Sequence, residues 1–240
     1  MDSNCNLSCY RKKRSHQPSN IEKANTIQLI FFDMDGVITD TISSWKYIHD
    51  YFGTSNERSV NDYLEGNIDD LEFIKRDVSL WKENGKLTNI QKIENILSQI
   101  KLIKGAKECF THLHKKRIPT AIVSAGLDIL AQRVAKNLGI KYVFANGIKQ
   151  DRNGNLTGDG ILNVQLMYKD KNVRFLAQKL NIPLRNCAAV GNSCFDIPMF
   201  ETCGIGIAFN PEDQCVREFA DIVVEEKDLR QLFTVLKSYV

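Results

Sequence analysis

The sequence predicts an α/β protein: an open, mostly parallel sheet with helices on both faces and a helical insertion after the first strand. Three observations lead there. Short, almost wholly apolar runs recur along the chain, as strands do when both of their faces are covered. Segments with helical periodicity fill the gaps between most of them, the alternation of a parallel sheet. One long stretch, 41–103, has helical periodicity and no convincing strand.

The elements follow in order. Ile27 to Phe32 is the first apolar run, and it stops at the acidic, Gly-containing turn Asp33 to Gly36. Within the insertion, Trp45, Ile48 and Phe52 mark one helix, and Leu71, Ile74, Val78 and Trp81 a second. Ile90, Ile93, Leu97 and Ile100 mark a third, with Thr88 as candidate cap. Ala106, Phe110 and Leu113 share a helical face ahead of the strand Pro119 to Val123, which ends at Ser124. Leu127, Leu130, Val134 and Leu138 form the next helix, stopped by Gly139. Between Tyr142 and Leu162 the Asn153-Gly154 step signals a hairpin. Val173, Leu176, Ala177 and Leu180 repeat the helical pattern, with Asp170 as N-cap. Strands at Cys187 to Val190, Ile205 to Phe209 and Asp221 to Val224 precede a closing helix on Leu229, Leu232, Phe233 and Leu236. The resulting division is a basic, disordered tail over 1–25, a Rossmann-like core over 26–40 and 104–240, and a helical cap over 41–103.

Composition narrows the class. The chain has 240 residues and a net charge of +3, and the run Arg11 to Arg14 accounts for that excess. The remainder is near neutral, which argues against a nucleic-acid partner. The seven cysteines are scattered, with no zinc-type pair, and read as small buried apolar residues in a reducing compartment. No apolar run reaches membrane-spanning length and the first residues lack a signal-peptide core, so the expected location is the cytoplasm, with no membrane partner. A membrane-surface or acylated anchor through Cys5 or Cys9 is the sharper reading of the tail, and nothing else in the sequence supports it.

Four pieces of chemistry fall at the same topological place, just after apolar strands, where open parallel sheets bind ligands. Asp33 and Asp35 are two carboxylates two residues apart. Such a pair repels unless a cation lies between them or one is protonated, and magnesium is the natural hard cation. A calcium loop would want a glutamate at its twelfth position, which is Ser44 here. Ser124, with the amides of Ala125 and Gly126, offers a hydroxyl and backbone donors for phosphate. Lys169 and Lys171 stand ahead of a helix, where an ammonium can neutralise a phosphoryl group. Asn192 and Asp196 offer an amide oxygen and a carboxylate as ligands or anchors. Singly, each also reads as an ordinary turn, cap or solvated charge; together they point to one site.

In this order the four pieces resemble the haloacid-dehalogenase-like hydrolase superfamily, from about Ile27 to the C-terminus, and within it phosphoserine phosphatases. Supporting stretches are Glu65-Gly66, Lys75 to Leu80, Phe144 to Asn146, Leu156 to Gly158 and Ala189 to Gly191. The resemblance implies a magnesium-dependent phosphomonoester hydrolase acting on a small phosphorylated metabolite. Asp33 is then the nucleophile and Asp35 the general acid and base. Ser124, Ala125 and Lys169 bind phosphate, Lys169 being favoured over Lys171 by its distance to Gly191. The Asp33 carboxylate, the Asp35 carbonyl, Asn192 and Asp196 hold the metal. Departures are Asn192 where the family has an aspartate, Ile42 where it has an amine-binding glutamate, and Asp77 where it has a carboxylate-binding arginine. Lys75 and Arg76 are the candidate replacements, and Trp45, Tyr47 and Asp77 further candidate lining residues. An authentic phosphoserine phosphatase is one alternative; a non-catalytic phosphometabolite-binding or regulatory protein is the alternative of another class.

Overall fold

The computed structural model describes residues 26–239; the tail assigned to 1–25, with Cys5 and Cys9, lies outside them. Seven strands form the main sheet in the order β6-β5-β4-β1-β7-β8-β9. They are β1 (Leu29–Phe32), β4 (Thr120–Leu127), β5 (Tyr142–Gln150), β6 (Leu156–Ile161), β7 (Cys187–Gly191), β8 (Ile205–Phe209) and β9 (Ile222–Val224). All neighbours are parallel except β5 and β6, which form the antiparallel hairpin expected around Asn153-Gly154. The centre is β1, with Ile30 opposite Thr120 on β4 and Ala188 on β7.

The period of two along β1 sets the layers. Ile30 and Phe32 face a core shared with α5 (Ala106–Lys115), α6 (Asp128–Leu138) and α10 (Leu229–Leu236). Leu29 and Phe31 face the other core, against α7 (Asp170–Lys179), α8 (Ile197–Thr202) and α9 (Gln214–Phe219). All four side chains are fully buried, and each such burial contributes about 1.5–3 kcal/mol.

Between β1 and β4 lie α1 (Ser44–Phe52), α2 (Glu57–Glu65), α3 (Asp70–Ser79) and α4 (Ile90–Leu97). Ser43 caps α1 by accepting from Lys46 N, and Gly53 ends it at φ 62°. Two features of this insertion depart from the sequence reading. A two-stranded hairpin, β2 (Lys82–Glu83) with β3 (Lys86–Leu87), sits where no strand was expected; its strands are too short to carry an alternating pattern. The cap of α4 is Asn89, whose side chain accepts from Gln91 N at 3.0 Å; Thr88 is buried one residue earlier.

The insertion is fastened to the core along one edge. Ile90 N donates to Gly154 O, and Leu156 N to Thr88 O. Asn89 Nδ2 donates to Asn153 O at 3.0 Å. Alongside, α3 lies so close to β6 that a Cβ on Gly160 would stand 2.1 Å from Ile74 Cγ2. Arg133 on α6 clamps the insertion's far end, donating to Ser98 O at 2.6 Å and Ile100 O at 2.7 Å.

Candidate active site

The chain leaves β1 at the point where the order of strand connection reverses, with β4 on one side and β7 on the other. Crevices open at the carboxyl ends of strands around such a point. Asp33 and Asp35 follow β1, Ser124 lies in the last half of β4, Asn192 follows β7, and Lys169 immediately precedes α7. These five residues line one cavity of about 380 Å³ together with residues of α1, α2 and α3.

Lys169 is the electrostatic hub. Its Nζ is 2.9 Å from Asp33 Oδ1 and donates to Asp196 Oδ1 at 2.7 Å, with all three side chains nearly inaccessible. Burial alone would lower the Lys169 pKa, but the carboxylates of Asp196 and Asp33 hold it well above its ordinary range. Lys171 instead reaches outward to Gln165 Oε1 at 2.5 Å.

Burial is also the main cause that lifts Asp33, to about 7; Lys169 pulls it down, and Asp196 and Asp35 push it up again. Asp35 is raised as well, chiefly by burial, against hydrogen bonds that favour its anion. Its Oδ2 accepts from both the amide and the hydroxyl of Ser44 at 2.7 Å, and its Oδ1 from Thr39 Oγ1 at 3.3 Å. Ser44 Oγ in turn accepts from Leu127 N at 2.9 Å. One serine at the head of the insertion thus fixes Asp35, the turn after β1 and the end of β4.

Ser124 is buried in a β-bulge, β4 continuing past it to Leu127. Its Oγ accepts from Gly126 N at 3.2 Å, and it is no helix cap, because α6 begins only at Asp128. The neighbouring Ala125 carbonyl accepts from Trp45 Nε1 at 2.9 Å, which ties the insertion to the end of β4.

Oxygen donors suited to a hard cation line the cavity with Asp33. Asp33 Oδ1 is buried and accepts no hydrogen bond of good geometry. Asn192 adds an amide, whose Nδ2 donates to the Glu212 carboxylate at 2.8 Å and so leaves its oxygen as the free donor atom of the pair. Among the described residues no three His, Cys, Asp or Glu side chains form an all-protein cage. One carboxylate with neutral oxygens suits magnesium, which retains several waters.

Of the two roles read for Asp196, ligand or anchor, its hydrogen bonds match the anchor. Its Oδ1 takes Lys169, and its Oδ2 accepts from Asn192 N at 2.9 Å, Ser193 N at 3.1 Å and Ser193 Oγ at 3.3 Å. With both oxygens engaged, it anchors the loop and the lysine rather than a metal. Lys75 and Arg76 also need correction, because neither lines the cavity. Lys75 pairs with Asp159 at 3.6 Å, and Arg76 with Asp62 at 2.6 Å and Glu72 at 3.1 Å, on the outer side of α3. Tyr47 lines a separate surface depression with Tyr51 and Lys92, whereas Trp45 and Asp77 do face the main cavity.

Glu212 escaped the sequence reading. It sits in the polar loop after β8 and lines the cavity. Its backbone N donates to Asn192 O at 2.7 Å, so the loop clips directly onto the end of β7. Burial, then Asp196 and Asp213, raise its pKa. The only prior signal was that an acidic loop follows a strand of the same sheet.

A family model for haloacid dehalogenase-like hydrolase matches residues 27–204. A phosphoserine phosphatase of Methanocaldococcus jannaschii is 30% identical over 213 residues, covering 88% of this chain and 98% of its own. A solved structure described as a phospho-aspartyl intermediate analogue of phosphoserine phosphatase superposes with TM-score 0.74 at 29% identity, covering 88% of this chain and 99% of that one. A substrate-bound phosphoserine phosphatase complex also superposes with TM-score 0.74, at 28% identity, over 88% of this chain and 98% of the other.

Proposed function

The chain belongs to the haloacid dehalogenase-like hydrolases and is phosphoserine phosphatase-like, and from that premise we propose that it cleaves small phosphomonoesters through an aspartyl-phosphate on Asp33. The observation that carries the reading is the Asp33–Lys169 pair, 2.9 Å apart at the floor of a buried cavity that also holds Asp35, Ser124 and Asn192.

A carboxylate oxygen of Asp33 attacks phosphorus, and the bond from phosphorus to the ester oxygen breaks. Asp35, whose pKa burial raises, acts in its protonated form as the general acid and gives a proton to the departing alkoxide. Water then attacks the phosphorus of the aspartyl-phosphate and loses a proton to Asp35. Inorganic phosphate leaves, and both aspartates return to their starting forms. Lys169 and Ser124, with the Ala125 amide, meet the charge spread over the phosphoryl oxygens. Magnesium would be held by the Asp33 carboxylate, the Asp35 carbonyl and the Asn192 amide oxygen, and would supply positive charge that favours the Asp33 anion. Residues 41–103 act as the cap that covers the crevice and excludes water.

Asp33→Asn tests this directly. Release of phosphate from an aryl phosphate, with magnesium present, is expected to fall at least about a thousandfold while the circular dichroism spectrum is retained. Wild-type-like turnover in a folded Asp33→Asn protein would rule out covalent catalysis by this residue. Chelation of divalent ions is expected to stop the wild-type enzyme, and magnesium to restore it.

A further inference from the structure

The upper wall of the cavity, contributed by the insertion, is acidic and aromatic. Asp77 on α3 faces the cavity and is 3% exposed. Its Oδ2 accepts from Asn56 Nδ2 at 2.8 Å, while its Oδ1 is buried without a hydrogen-bond partner. Asp70, on the same helix, also lines the space.

His49 packs beside Asp77, its Nε2 3.4 Å from Asp77 Oδ2 and without a hydrogen-bond partner. On its other side, His49 Nδ1 lies 2.8 Å from Thr54 Oγ1 and 3.3 Å from Trp81 Nε1.

Positive charge is scarce in the cavity. Its only lining cations among the described residues are Lys169 and Lys46. Lys169 is engaged by Asp33 and Asp196. Lys46 lies at the rim, 61% exposed and paired with Asp50 at 2.6 Å. Among the described residues no guanidinium lines the space to receive a carboxylate as a two-pronged partner. Aromatic faces are present instead: Trp45, and Tyr63 stacked on Phe73 at 5.2 Å. Carboxylates with aromatic faces are the surroundings in which an organic ammonium group is held.

We propose that the alcohol half of the substrate carries an ammonium group and no carboxylate, an aminoalkyl phosphate whose cationic end lies at Asp77 while its phosphate meets Asp33 and Lys169. This rests on the hydrolase reading above. An amino acid phosphate would bring a carboxylate against Asp77 and Asp70 with no cation to meet it, which costs binding.

The test is a comparison of kcat/KM by phosphate release, using the full chain with magnesium. The substrates are ethanolamine phosphate, phosphoserine, glycerol 3-phosphate as the uncharged-alcohol control, and para-nitrophenyl phosphate as the general reporter. Ethanolamine phosphate is expected to exceed both phosphoserine and glycerol 3-phosphate at least tenfold. Asp77→Asn is expected to shrink that preference to within about threefold through KM, and Asp77→Glu to retain more of it. If the Asp77 variants do not fold, the wild-type ratios decide alone. Turnover of para-nitrophenyl phosphate with phosphoserine or glycerol 3-phosphate equal to or better than ethanolamine phosphate overturns the inference and leaves the hydrolase reading standing. No turnover of any ester overturns both.

Discussion

Gly36 illustrates how little freedom the catalytic turn has. It sits at φ +76°, where a side chain is strained, and a Cβ there would stand 2.2 Å from Asn192 Nδ2. The turn after β1 and the loop after β7 approach so closely that only a hydrogen atom fits between them. Gly36→Ala is therefore expected to cost about 1–2 kcal/mol from the backbone alone. It should also push Asn192 off Glu212, lowering kcat more than tenfold; thermal melting and phosphate release measure the two effects. A variant with wild-type kcat would mean that the Asn192 position is not needed for turnover. Asp33 and Asp35 stood out in the sequence because paired acids directly after an apolar run are unusual, and Lys169 was separated from Lys171 only by the family resemblance in its distance to Gly191. Glu212 was not, because Asn-Pro-Glu-Asp reads as an ordinary polar turn. Lys75 and Arg76 misled because charge alone does not reveal which side of α3 faces the cavity; their partners Asp159, Asp62 and Glu72 turn them outward.

At the scale of elements, periodicity served the buried helices and strands well and failed the exposed ones. The helix Glu57–Glu65 has only Val60, Tyr63 and Leu64 as apolar residues, too few for a stripe, and it forms over the cavity mouth against Phe73 and Ile197. The closing helix α10 was clear from its leucines, but its anchor was not. Asp228 caps it by accepting from Arg230 N at 3.1 Å and meets Lys104 Nζ at 3.3 Å. The Arg230 side chain is the largest cause holding the Asp228 carboxyl well below its usual range. A depressed folded pKa stabilises the fold above the unfolded value, about 3.9, and that contribution fades as pH falls towards the folded value. Asp228→Asn is expected to lower the melting temperature at pH 7, with the difference from wild type narrowing below about pH 4. A difference independent of pH would assign the effect to packing instead.

For the whole molecule, the seam between insertion and hairpin decides how the cavity can open. Ile90 N and Leu156 N form backbone bonds across it, and Ile74 packs where Gly160 leaves room. An outward swing of the insertion that pivots on this edge would keep both bonds. Hydrogen exchange tests that geometry. The amides of Ile90 and Leu156 should be slowed at least about a hundredfold relative to exposed turn amides, and should exchange at matching rates. Fast exchange at both would show that the insertion separates along the seam itself. This feature was invisible in the sequence, because it depends on which turn meets which loop in space.

The central position of β1 has a kinetic corollary. The strand that delivers Asp33 is made early, yet its register partners are Thr120 to Ile122 on one side and Cys187 to Val190 on the other. Pairings so distant along the chain carry a large loop-closure entropy and belong to slow-folding, high-contact-order topologies. As the polypeptide leaves the ribosome, Asp33 therefore waits, apolar-flanked and without its neighbouring strands, until Cys187 to Val190 have emerged. The reaction centre is among the last parts to mature, and a nascent chain released before Cys187 would carry Asp33 without the strand that seats it.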